Sequence, residues 1–143
     1  MIKHDENFMS KPNKLFIKGF NPVGDLIGLN FTKFELGYSR CEIEVDEKLM
    51  NPHKVLHDGV IYTMVDTGMV GAFYSYLKKD ELCATLEVKI FYFAAVTTGE
   101  IICDTVVVHK DEKFAILESD ITNEGRLVAK AVGIFSIFKV KKQ

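Results

Sequence analysis

From Gly59 to Leu77 the chain reads GVIYTMVDTGMVGAFYSYL, nineteen residues with a single charge, Asp66, near the middle. A run of that length could cross a bilayer. A carboxylate at its centre is costly in lipid, however, and three glycines and three tyrosines dilute its hydrophobicity. The expectation is therefore a helix buried by its own protein and no membrane partner. A helix apolar on most faces must be covered by a strongly curved sheet or by a second subunit.

The rest of the chain supplies strands. LNFTKFELG (29–37) and SRCEIEV (39–45) alternate apolar and polar residues around Gly37, as a hairpin does. DEKLMNPHKVLHD (46–58) reads as a loop with Asn51-Pro52 as its turn signal. TLEVKIFYF (85–93), EIICDTVVVHK (100–110), FAILESDIT (114–122) and RLVAKAVGIFSIF (126–138) read as strands, the last three joined by short turns. FNPVGDLIG (20–28) suits a turn or short helix, and residues 1–19 read as a polar N-terminal arm before one domain over 20–143. The pattern β-β-α-β-β-β-β predicts an α+β domain, one long central helix wrapped by an antiparallel sheet.

Composition excludes several classes. With 143 residues, 48% of them hydrophobic and 27% charged, the chain can form a core without staples. Eighteen basic against 20 acidic residues leave a net charge of −2, so no basic field favours nucleic acid. Cys41, Cys83 and Cys103 form no C-x-x-C pair, which argues against a disulfide framework or structural zinc and suits a reducing cytoplasm. The first residues, MIKHDENFMSKPNK, carry no apolar core of a secretory signal.

NPHKVLHDGVIYTMVDTGMVGAFYS, then ATLEVKIFYFAAV, then GRLVAKAVGIFSIF resemble the hotdog-fold acyl-CoA thioesterases, most nearly the phenylacetate-degradation (PaaI-like) type. The likeness runs from about Phe20 to Phe138, and its most specific part is Asn-Pro-x4-His-x-Gly followed by a helical Asp. It implies hydrolysis of an acyl-CoA to acid and free CoA, without metal or separate cofactor, by a dimer or dimer of dimers. Sites would lie between subunits, with Asn51 and the His57-Asp58-Gly59 loop from one chain and Asp66 and Thr85 from the other. The family loop usually reads His-Gly-Gly; here Asp58 replaces the first glycine.

Thioester hydrolysis needs an activated water and a donor for the carbonyl oxygen as it becomes negative. The first N–H groups of a helix beginning near Asp58 or Gly59 lack intrahelical partners and carry partial positive charge. An Asp58 carboxylate could instead cap the helix and occupy those groups. Asp66, a carboxylate on an apolar helix, could deprotonate water or attack directly. His57 and Asp66 lie nine residues apart, roughly 13 Å along a helix, so one reaction using both requires two chains. His57 suits a positioning role. Asn51 could hold a water or serve only its turn. Strict alternation puts Thr85 on the Glu87/Lys89 face, opposite Leu86, Val88 and Ile90. Tyr62, Met69, Phe73 and Phe91 are candidates for an acyl pocket, and Lys110 and Lys113 for the CoA phosphates. His53 and His57 have a zinc-like spacing, but Pro52 and the missing H-E-x-x-H pattern argue against metal. The rival reading is a non-catalytic hotdog module that binds acyl-CoA.

Overall fold

The computed structural model describes residues 19–141; the arm expected over 1–19 lies, up to residue 18, outside them. A short helix α1 (Pro22–Ile27) leads into β1 (Asn30–Glu35) and β2 (Tyr38–Glu44). A one-turn 3-10 helix (Glu47–Leu49) precedes the long helix α2 (Asp58–Tyr74), followed by β3 (Glu81–Tyr92), β4 (Glu100–Lys110), β5 (Phe114–Asn123) and β6 (Arg126–Lys139). Asn21 accepts from the Gly24 N–H to cap α1, and Pro22 stands in its first turn. This is the α+β hotdog architecture: a long helix against one antiparallel sheet.

The sheet order is β1-β2-β4-β5-β6-β3. Short turns make neighbours of β4, β5 and β6. At the last turn Glu124 and Gly125 both take positive φ, 51° and 78°, the backbone a two-residue hairpin needs. The connection from β3 to β4 is longer and carries the chain across the sheet, so β3 pairs with β6 and forms an edge.

α2 packs chiefly on β2, β4 and β5. Ile61, Met64, Val65, Met69, Ala72 and Phe73 are buried against Cys41, Ile43, Cys103, Leu117, Ile121 and Phe135. Full burial of each large apolar side chain contributes about 1.5–3 kcal/mol. Phe73 meets Phe135 edge-on at 6.4 Å. The buried hydroxyls find partners: Ser39 donates to the Gly68 carbonyl at 2.6 Å, and Thr105 and Ser119 share a 2.6 Å bond. At Gly71 the helix passes so close to the hairpin that a Cβ would stand 2.5 Å from the Phe31 ring. Gly71→Ala is expected to destabilise the fold by about 1–3 kcal/mol through overpacking, read from the denaturant midpoint.

Three expectations change here. The helix is seventeen residues rather than nineteen, because Ser75 ends it, donating to the Ala72 carbonyl and accepting from the Gly37 N–H. Among the described residues no helix is long and apolar enough to cross a membrane. Nor is α2 covered on nearly every side: Tyr62, Asp66, Val70 and Tyr74, spaced by four, form an exposed to half-buried stripe. Finally, β3 carries a bulge, its register slipping between Thr85 and Glu87. One extra residue inverts the alternation. Before the bulge Cys83 and Thr85 face the helix; after it Val88, Ile90 and Tyr92 do. Thr85 is therefore not on the Glu87/Lys89 face, and Phe91, 52% exposed, points away from the helix.

Candidate active site

The loop before α2 is built by Asn51. Its side-chain oxygen accepts from the N–H groups of His53 (2.8 Å) and Val55 (3.4 Å), and its own N–H donates to the Val55 carbonyl. This is Asn turn chemistry; it leaves the side-chain NH2 without a partner among the described residues. His57 N–H donates to Leu49 and Leu56 N–H to Val96, tying the loop down at both flanks.

His57 caps α2. Its Nδ1 accepts from the Gly59 N–H at 2.8 Å, so that nitrogen carries no proton in this arrangement. The His57 carbonyl accepts from the Val60 N–H at 3.0 Å. Of the first amides, the Asp58 N–H remains without an acceptor among the described residues. Asp58 adopts ordinary helical backbone, since Lys54 and Glu124 are the described non-glycine residues with positive φ. The glycine usual at this place is thus not needed for conformation, and the expectation of an Asp58 carboxylate cap is replaced by the His57 cap. His53 stands in the loop, off the helix, so its four-residue spacing from His57 describes no shared helical face. No cluster of three metal-ligating side chains exists among the described residues.

Asp66 lies two turns along, on the open stripe of α2. It is half-buried rather than sunk in the core. Thr85 donates its hydroxyl to Asp66 Oδ1 at 2.7 Å, the contact the bulge makes possible. Asp66 Oδ2 has no partner among the described residues. Cys83 shares this side of β3, but burial chiefly, with the nearby Asp66 charge, pushes its thiol up to about 11. It stays a thiol at neutral pH and offers no competing nucleophile.

Asp58 and Asp66 are eight residues apart on one helix, roughly 12 Å, so the free amide and the carboxylate of one chain do not meet. The other candidates divide. Tyr62 is 43% exposed on the stripe, whereas Met69 and Phe73 are 0% exposed and belong to the core, with no surface to give a ligand. Lys110 and Lys113 flank the β4–β5 turn, and the Lys113 carbonyl binds the Ile137 N–H beside the start of β3, away from Asp58 of the same chain.

A cleft of about 260 Å3 opens beside the start of α2, lined by Val55, Leu56, Asp58, Ile61, Tyr92 and Val96 among others. Of this lining, Asp58 is legible in the sequence as a site residue, and Tyr92 only by running the alternation Val88, Ile90, Tyr92 past the bulge. The Tyr92 hydroxyl donates to the Asp58 carbonyl at 3.0 Å.

Residues 53–130 match the model of the thioesterase superfamily. Over 118 residues the chain is 28% identical to SSO1253 of Saccharolobus solfataricus, named a candidate esterase, covering 82% of this chain and 78% of that protein. The conserved protein PA5202 of Pseudomonas aeruginosa superposes with a TM-score of 0.82 at 27% identity, over 90% of this chain and all of that one. A mutant form of the phenylacetic acid degradation protein PaaI from Thermus thermophilus superposes at 0.76 over 81% of this chain and 98% of its own, at 20% identity, which speaks for the fold alone.

Proposed function

The chain belongs to the thioesterase superfamily, and from that premise we propose that it is an acyl-CoA thioesterase with its active sites between paired protomers. The observation that carries the reading is Asp66: a carboxylate held at one oxygen by Thr85, open at the other, on an uncovered helix face. An ionised carboxylate so fixed accepts a proton from water as that water attacks the thioester carbon. The carbonyl oxygen, gaining negative charge, takes its hydrogen bond from the Asp58 N–H at the positive end of α2. The CoA sulfur leaves with the electron pair of the broken C–S bond and ends as the free thiol. In this reading the NH2 of Asn51, without a partner among the described residues, holds the water or the thioester oxygen.

The edge strand supports the pairing. β3 is twelve residues long and, among the described residues, unpaired on one side, an arrangement that invites a second strand. It carries Thr85, bonded to Asp66, and Tyr92, bonded to Asp58, roughly 20 Å apart along the strand. An antiparallel pairing of two copies about a two-fold axis between Val88 and Lys89 lays Thr85 of one strand against Tyr92 of the other. That brings the carboxylate of one protomer to the free amide of its partner, twice per dimer.

The cleft at the rim of that amide suits the acyl group. An apolar cavity of about 150 Å3 accommodates benzene, so 260 Å3 takes an aryl group with a short spacer or a medium-length chain. The test is thiol release over a panel of acyl-CoAs with the assembly measured by sedimentation. A dimer or larger assembly turning over aryl or medium-chain thioesters supports the reading. Tight acyl-CoA binding without thiol release selects the binding-module alternative. A monomer with full activity overturns the shared site.

A further inference from the structure

We propose that Tyr92 is a positioning residue that sets the direction of the Asp58 N–H and so the strength of the oxyanion contact, an inference that rests on the thioesterase reading. The Asp58 carbonyl and the Gly59 N–H are the two ends of one peptide unit. Tyr92 donates to the first at 3.0 Å and His57 Nδ1 accepts from the second at 2.8 Å. The preceding unit is held at its carbonyl end, where His57 accepts from Val60, and its other end is the Asp58 N–H. Both peptide planes that meet at the Asp58 Cα are thus anchored, and the donor left over is aimed by those anchors. Two of them lie within the first turn of α2. Of these three anchors Tyr92 is the one that ties the turn to the sheet, from a position 34 residues away.

An oxyanion donor works within a narrow range, about 2.7–3.1 Å from the position the oxygen will occupy. Misplacement by about 1 Å costs up to 10²-fold in rate. A carbonyl released from Tyr92 lets the first turn fray, as unanchored helix ends do. The phenol is suited to remain a donor: burial chiefly, with the Asp58 carboxylate beside it, raises its pKa from the ordinary tyrosine value. Its ring also forms part of the cleft wall, so the group seated in the cleft rests on the side chain that aims the amide.

Tyr92→Phe separates these roles, keeping the ring and removing the hydroxyl. The expected result is a kcat about five- to tenfold lower with KM and Tm unchanged, together with faster hydrogen exchange at the bonded Gly59 and Val60 amides and no change elsewhere in α2. An unaltered kcat in an enzyme whose wild type is active, or unaltered exchange at both amides, overturns the assignment. So does a kcat loss matched by a fall in Tm and general exchange, which marks a packing residue. A wild type that releases no thiol from any acyl-CoA rejects the thioesterase reading and the kinetic role with it, while the exchange comparison reports separately on the Tyr92 bond.

Discussion

Asp66→Asn is expected to lower kcat/KM for acyl-CoA hydrolysis by about 10²- to 10⁴-fold, the range a positioned general base supplies. The amide is isosteric and its oxygen still accepts from Thr85, so the 2.7 Å contact survives and Tm should move little. What disappears is the carboxylate oxygen that has no partner among the described residues. Thiol-release kinetics beside a thermal melt separate the outcomes. Loss of turnover with an intact fold is the expected pair, and undiminished turnover removes Asp66 from the chemistry. The partial exposure of Asp66 matters here: a fully buried acid would confound activity with stability, because stripping its charge would change the folding energy as well.

Asp58→Pro is expected to cost about 10²- to 10³-fold in kcat, the loss typical of removing one oxyanion donor. Asp58 stands at the first position of α2, where proline is favoured and its missing N–H is not needed by the helix. His57, at φ −64° and ψ 130°, already has the backbone that a residue before proline adopts. The substitution deletes one hydrogen atom's worth of chemistry with little strain. Asp58→Ala is the companion variant: it keeps the N–H and removes the carboxylate, and should retain activity. Equal losses in both would assign the effect to the side chain, and an active proline variant would exclude the amide.

Much of this fold is readable along the chain because its strands alternate cleanly. β4 runs from Glu100 to Lys110 as the pattern of apolar residues indicates, and β5 and β6 differ from it by a residue at one end. The central helix is legible as an apolar run, and Asp66 stands out in it as the single charge. Alternation fails at Thr85, where a bulge adds a residue without any mark in composition. Every side assignment read from one end of β3 to the other is then inverted. That one slip sends Thr85 to the wrong face, while the alternation Val88, Ile90, Tyr92 beyond the bulge still leaves Phe91 on the opposite side.

Local competition is also hard to read. Asp58 and His57 are both able to cap α2, and only the built loop decides for His57. Met69 and Phe73 resemble pocket residues by type, but which face of an almost uniformly apolar helix meets the sheet depends on close approaches such as Gly71 against Phe31. The cleft draws on Val55, Ile61 and Val96, three segments whose meeting no spacing announces.

The division of one site between two chains is tested most directly by a mixed dimer of Asp66→Asn and Asp58→Pro protomers, isolated through two different affinity tags. One of the two sites then carries both lesions and the other carries none, so activity should return to about half that of the wild-type dimer although each parent is nearly inactive. A mixed dimer no more active than its parents would place the carboxylate and the amide of each site in the same chain.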